Sequence, residues 1–355
     1  MKRDIVVIGG YGQVGQVVCR ELGALYPGKV YAAGRSYSKA KRFSDATGGN
    51  VLPLQLDVNE RLPAAVFREA ALVVMCLDVR HTGVVQACVD HGVDYIDITA
   101  DYSAMASIEK LRAAESTVVL SVGLAPGITN MLVKRGKQKL DTVLQADIYV
   151  LLGLGEAHGR AAIEWTLDNL AADFSVVEQG AARQTASFSE GKKTRFPDPF
   201  GRRTAYRFNF SDQHVIPRTL HIPAVSTRLC FDSALVTHAA AGLKRAGIDR
   251  LLARPSIRAK ALDLWGAVRW GTERFAAKAD VFGQLNGRPA LYEGSASGVQ
   301  EAHATGQVAA YVAQRLVSER HPFGIFHIEE LFQPEALFAG LKEAVSLEER
   351  IVVHE

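Results

Sequence analysis

The sequence predicts an α/β protein, with a doubly wound parallel sheet in its first third and a second domain of mixed α and β structure after it. Three observations carry this reading. Short β-branched runs alternate with amphipathic helical stretches, the pattern of βαβ units. A glycine-rich loop, Gly10-Tyr11-Gly12-Gln13-Val14-Gly15, separates the first run from the first helical stretch. The texture then changes at Gly123-Leu124-Ala125-Pro126-Gly127, where a proline between glycines marks a crossing into new structure.

Strands are expected at Ile5–Ile8, Val30–Ala33, Val51–Leu56, Leu72–Cys76, Tyr95–Ile98 and Val118–Ser121, each a short apolar run bounded by turn residues. Between them, Val14, Val17, Val18 and Leu22 share one helical face, and Val84, Val85, Cys88 and Val89 share another. Beyond Pro126, Asn130 is placed to cap a helix running to Leu140. A strand near Ile148–Leu152 and a helix around Ala161–Leu170 follow, then a polar region from Glu178 to Arg218 that alternates as β structure does. Asn286-Gly287 supplies the two positive φ angles of a type I′ turn, so Asp280–Leu285 and Arg288–Tyr292 read as a hairpin. A helix from about Val299 to Leu316 packs through Ala302, Val308, Ala309 and Val312.

The composition narrows the class of protein. With 48% hydrophobic and 22% charged residues the 355-residue chain can bury two cores, and it is too apolar to be disordered. No stretch approaches the ~20 uncharged apolar residues of a membrane span. Forty-one Lys+Arg against 38 Asp+Glu leave no global field for nucleic acid or an anionic membrane, so neither is expected as a partner. The N-terminal apolar run meets Gly9-Gly10 too soon for a signal peptide, and the four cysteines are far apart, so reduced thiols and a cytoplasmic location are expected. For the same reason the glycosylation-like Asn209-Phe210-Ser211 is read as coincidence. The ten histidines form no metal-ligand spacing, and no metal is expected.

Placed between strand and helix, the glycine loop has the context of a dinucleotide fingerprint. One glycine permits the tight turn, the next lets the backbone approach a pyrophosphate, and the last allows close helix packing. With Gly9 in front, the stretch Gly9–Gly15 also fits G-x-x-G-x-x-G, and the frame stays open. The second strand ends in Ala33-Gly34-Arg35-Ser36 where an acidic residue would take the ribose 2′-hydroxyl of NAD. Arg35 and Ser36 suit a 2′-phosphate instead, with Lys39, Lys41 and Arg42 behind them, so NADP is expected over NAD. Asp57-Val58 would border the adenine and Cys76-Leu77 the nicotinamide side. Tyr37 and Lys41 spell the Y-x-x-x-K pair of short-chain dehydrogenases, but they fall at the adenosine end and are set aside.

In combination, Gly10–Gly15, Ala33–Ser36, Tyr95-Ile96-Asp97-Ile98-Thr99, Gly123–Asn130 and the Gly294–Ala313 stretch with Glu301-Ala302 resemble the saccharopine dehydrogenase-like family. The resemblance implies a Rossmann-type domain at 1–125, completed by a segment at about 295–325. A mixed-sheet substrate and dimerisation domain would be inserted at 126–294, with a tail of helical or extended structure at 326–355. It also implies a homodimer that moves hydride between NADP and the C–N centre of an amino-acid-like substrate.

Such a substrate needs partners for its carboxylate and ammonium. Arg228, inside an apolar strand, is the first candidate for the carboxylate, and Arg160, beside His158-Gly159, the second; a structural ion pair is the competing role for each. Asp97 and Thr99 follow the fifth strand, where an open α/β sheet presents its ligand loops, and Pro126, Gly127 and Asn130, in the most specific part of the resemblance, are further substrate candidates. Asp101 and Tyr102 are candidates to bind an amine or relay a proton, although Asp101 equally suits a helix cap. His81 and His158 are lone acid/base candidates, and Glu164-Trp165 a possible pocket wall. Two other readings stand beside this one: a carbonyl or enoyl reductase on the same scaffold, and a non-catalytic NADP-sensing protein.

Overall fold

Burial on both faces is what a central parallel strand requires, and the run Ile5–Ile8 meets that demand with all four side chains in the core. A computed structural model describes residues 3–156, 160–178, 181–248, 254–267 and 271–354. The chain divides into two units, Met1–Gly127 with Ala302–Leu341, and Ile128–Glu301 with Lys342–Glu355.

The first unit opens with β1 (Asp4–Ile8), α1 (Gln13–Leu25), β2 (Val30–Gly34), α2 (Tyr37–Ala46), β3 (Val51–Gln55), α3 (Ala64–Glu69), β4 (Ala70–Met75), α4 (Gly83–Asp90), β5 (Asp94–Asp97), α5 (Tyr102–Ile108) and β6 (Thr117–Leu120). Helix α1 turns Gly15, Val18, Cys19, Leu22 and Gly23 inward, so its buried stripe is rotated from the valine face toward the small residues.

The second unit follows with α6 (Thr129–Lys139), β7 (Thr142–Leu152), α7 (Arg160–Ala171), β8 (Asp173–Glu178), β9 (Ala181–Ala186), β10 (Lys192–Arg195), β11 (Arg202–Arg207), α8 (Asp212–Thr219), β12 (Ala224–Phe231), α9 (Ala234–Arg245), α10 (Pro255–Ala267), β13 (Arg274–Leu285) and β14 (Arg288–Val299). Asn130 does not cap α6: the cap position is Ile128, without a side-chain hydrogen bond, and Asn130 lies buried in the first turn. The hairpin is longer than its alternation suggested, because β13 and β14 pair from Arg274↔Val299 to Leu285↔Arg288. Its turn has φ of 53° at Asn286 and 73° at Gly287, as a type I′ turn demands.

The chain ends with α11 (Glu301–Ser318), β15 (Gly324–His327), α12 (Ile328–Leu331), α13 (Pro334–Gly340) and β16 (Val345–Val353). Residues 326–355, expected as a tail, are divided between the units. Strand β15 pairs parallel with β6 and gives the first sheet its seventh strand, in the order β15-β6-β5-β4-β1-β2-β3. Strand β16 pairs antiparallel with β14 at the edge of the second sheet, β10-β11-β12-β7-β13-β14-β16.

One face of the second sheet is covered by α6, whose Gly136 lies so close that a Cβ there would stand 2.6 Å from Tyr292 Cδ1 and 2.7 Å from Val281 Cγ2. Register and the period-2 alternation put Ser226, Asp147, Asp280, Glu293 and Arg350 in one row on the opposite face. Among the described residues, no helix is long and apolar enough to cross a membrane.

Candidate functional site

The glycine loop forms a tight cradle at the C-terminal end of β1. Gly9 and Gly10 both donate their N–H groups to Ala33 O, at 2.9 and 3.2 Å, and Gly12 donates to Gly9 O at 2.8 Å. Gly9 has φ +80°, a left-handed conformation costly for other residues. Gly15 lets α1 meet the loop, since a Cβ there would stand 2.7 Å from Gly10 Cα. Gly12 caps α1 with no side-chain hydrogen bond, so the start of this 13-residue helix is open to an anion. The residues present fit a dinucleotide pyrophosphate.

Tyr11 spans from this loop to the end of β2. Its hydroxyl accepts the Ser36 N–H at 3.1 Å, and its ring lies over Gly34, where a Cβ would come within 2.6 Å of the ring. Arg35 is exposed, and its guanidinium makes no ion pair or hydrogen bond among the described residues. Ser36 caps α2 and accepts Lys39 N–H at 3.5 Å. The basic cluster is thinner than the sequence suggested, because Lys41 pairs with Asp45. Tyr37 is half exposed, consistent with setting its Y-x-x-x-K match aside. Asp57 closes its own turn by accepting Asn59 N–H at 3.0 Å, and Val58 is buried.

At the ends of β4 and β5 the polar groups form a chain. Cys76 follows β4, its thiol pushed up by burial, and Leu77 covers the loop, with Cδ2 2.9 Å from where a Gly9 Cβ would be. Thr99 Oγ1 donates to Asp78 Oδ1 at 3.1 Å; desolvation raises the Asp78 carboxyl, and this hydrogen bond opposes the rise. Asp97 is buried, taking Tyr95 O–H on Oδ2 at 2.6 Å and Thr99 N–H on Oδ1 at 2.8 Å. Burial raises its pKa to about 6 despite both hydrogen bonds. Expected as ligand groups, Asp97 and Thr99 instead turn inward and shape the loop. Asp101 takes its helix-cap role, accepting Ala104 N–H at 3.0 Å, with Tyr102 beginning α5. His81 is exposed, and its Nδ1 accepts Gly83 N–H at 3.3 Å.

The remaining substrate candidates lie elsewhere. Pro126, Gly127 and Asn130 are buried. In the second unit Arg228 is committed to Asp147 at 3.3 Å and also contacts Ser226, which is the structural ion pair weighed against ligand binding. Asp147 also takes Lys192 at 2.5 Å; burial raises its pKa, but Lys192, Ser226 and Arg228 outweigh that and hold it below the ordinary range. Trp165 packs on Phe208 and Phe210 with centroids 5.6 and 5.5 Å apart. Arg160 begins α7, and its side chain lies outside the described residues, as do His158 and Gly159.

Two constellations escaped the sequence reading. On the second sheet, Lys278 Nζ is buried between Asp280 at 2.9 Å, Glu293 at 2.8 Å and Thr194 Oγ1 at 3.1 Å. In the first unit, Ser121 Oγ lies 2.8 Å from His327 Nδ1, and His327 Nε2 lies 2.9 Å from Glu109 Oε1. Sequence separations of 206 and 218 residues leave no local signal for the second set. The first was accessible in principle, since charges alternating inside β13 need partners across the sheet.

A parallel sheet with a glycine cradle at β1, and a cation in place of a carboxylate after β2, defines an NADP-dependent dehydrogenase or reductase. Residues 5–120 match the family model described as "Saccharopine dehydrogenase NADP binding domain". That stretch, about a third of the chain, is similar to the NADP-binding domain of the saccharopine dehydrogenase-like family. The chain is similar over 99% of its length to the whole of saccharopine dehydrogenase (L-Glu forming) from Saccharomyces cerevisiae, with 15% identity and a TM-score of 0.68. Weaker likenesses extend to the DAP dehydrogenase of C. glutamicum (12% identity, 97% of this chain and 99% of that one, TM-score 0.43) and the WlbA dehydrogenase of Thermus thermophilus (9%, 96% and 93%, 0.42). No curated protein sequence matches the chain.

Proposed function

We propose that this NADP-dependent oxidoreductase transfers hydride to or from the C–N centre of an amino-acid-derived substrate. The nicotinamide supplies or accepts the hydride when bound; the protein binds, orients and shields. The start of α1 holds the pyrophosphate. Arg35 pairs with the 2′-phosphate, and the Ser36 hydroxyl, already aligned by its cap, adds a donor. Leu77 closes over the loop and keeps water from the cradle. Asp78, Asp101 and Tyr102, at the ends of β4 and β5, are the groups to meet an ammonium or move a proton.

The observation that carries the C–N assignment is the likeness to a saccharopine dehydrogenase over essentially the full length of both chains. NADPH oxidation tests it, using a panel of 2-oxo acids and aldehydes with and without an amino acid. Oxidation that needs both components is expected. Turnover of the carbonyl compound alone would indicate a carbonyl or enoyl reductase. NADPH binding with no turnover across the panel would favour a sensing role.

A further inference from the structure

We propose that Ser121, His327 and Glu109 form a positioning relay that fixes the loop 121–127 at the nicotinamide half of the first unit. The proposal rests on the dinucleotide reading: in a doubly wound sheet each half takes one nucleotide, which gives β4–β6 the nicotinamide side.

Ser121 is the first residue beyond β6, and it is fully buried at φ +59°. That conformation is strained for any side chain and free for glycine. A serine held there against its preference implies that its hydroxyl is used. The Oγ lies 2.8 Å from His327 Nδ1 and 4.0 Å from Met105 Sδ. His327 is itself buried, and its Nε2 meets Glu109 Oε1 at 2.9 Å. An ionised carboxylate only accepts, so Nε2–H donates to Glu109; in the neutral imidazole Nδ1 then accepts the Ser121 O–H. The His327 backbone N–H is also held, donating to Glu330 Oε2 at 2.8 Å.

The relay acts on the loop through Ser121. Gly127, at φ +136°, passes so near that a Cβ there would stand 3.1 Å from Ser121 O, so the two ends of the loop meet at this serine. The middle is pinned separately, with Leu124 N–H donating to Thr305 Oγ1 at 3.1 Å. Complete burial of Ser121 rules out simple nucleophilic use of its hydroxyl. The role is positioning.

The test compares NADPH with 2′,5′-ADP, which carries the 2′-phosphate but no nicotinamide, on the full-length protein. Ser121→Gly is the informative variant, because it removes the hydroxyl while relieving the backbone strain. Ser121→Gly, Ser121→Ala and Glu109→Ala are expected to weaken NADPH about tenfold, the loss equivalent to one buried hydrogen bond. They should leave 2′,5′-ADP within about twofold and change the fluorescence of bound NADPH. Glu109→Gln, which keeps an acceptor, should be weakened less than Glu109→Ala. Wild-type affinity for both ligands in Ser121→Gly would overturn the relay, even if its melting temperature shifted. An equal loss of both ligands would overturn it too. A wild-type protein that bound neither would refute the dinucleotide reading and the relay with it.

Discussion

Arg35 and Asp97 put opposite demands on the solvent, and each yields a measurement. Arg35 is exposed at the end of β2, so its charge costs nothing to desolvate until a phosphate arrives. Arg35→Asp places a carboxylate where the 2′-phosphate would sit and within reach of a 2′-hydroxyl. Fluorescence titration should show NADPH weakened by at least about tenfold relative to NADH, one charge-assisted hydrogen bond or more. Asp97 is buried, and its native pKa of about 6 exceeds the ~3.9 of an unfolded aspartate. The native state thus holds this proton more tightly than the unfolded chain. Its contribution is fully present below about pH 4, is lost as pH rises to about 6, and totals roughly 3 kcal/mol. In denaturant titrations the stability of Asp97→Asn relative to wild type should improve by that order between about pH 4 and pH 7. Asp147 runs the other way: its depressed pKa stabilises the fold above the unfolded value, and this is lost in acid.

At the scale of elements, the return of α11 to the first unit depends on close approach to α1. A Cβ at Gly306 would stand 2.6 Å from Val17 Cβ and 3.1 Å from Val14 O. Gly306→Leu should lower the unfolding free energy by about 1–3 kcal/mol or more, measured by urea titration, because two packed helices must separate to admit it. The six N-terminal strands and the type I′ hairpin were legible because their signals are local: apolar runs bounded by turn residues, and one Asn-Gly pair. β15 and β16 were not. Gly324-Ile325-Phe326-His327 is too short to show a period, and Val345–Val353 carries Glu348, Glu349 and Arg350, which read as a solvated tail although Arg350 pairs with Glu293 of β14 and Glu349 with Arg135 of α6. Of the site, the glycine cradle and Arg35 were legible for the same local reason. Arg228 was legible only as a cation needing an anion. Which anion was a matter of register, since Asp147 lies on a neighbouring strand 81 residues away.

At the scale of the molecule, the second unit depends on buried charge as well as apolar packing. Lys278 touches Asp280, Glu293 and Thr194, while Asp147 takes Lys192 and Arg228 on the same face of the sheet. Lys278→Met leaves two carboxylates without their shared cation and should cost roughly 3–5 kcal/mol in the denaturation of this unit. Removing Lys342–Glu355 takes away β16 and uncovers the edge of β14, so the truncated protein should aggregate at concentrations where the full chain stays dispersed, read by light scattering.

The proposed reaction moves a hydride between NADP and carbon bonded to nitrogen. NADPH deuterated at C4 of the nicotinamide, incubated with a carbonyl compound and an amino acid, tests it by product mass and NMR. Deuterium on the carbon that bears nitrogen in a secondary-amine product is the predicted result. Deuterium in an alcohol or a saturated C–C bond, with the amine unchanged, would contradict it.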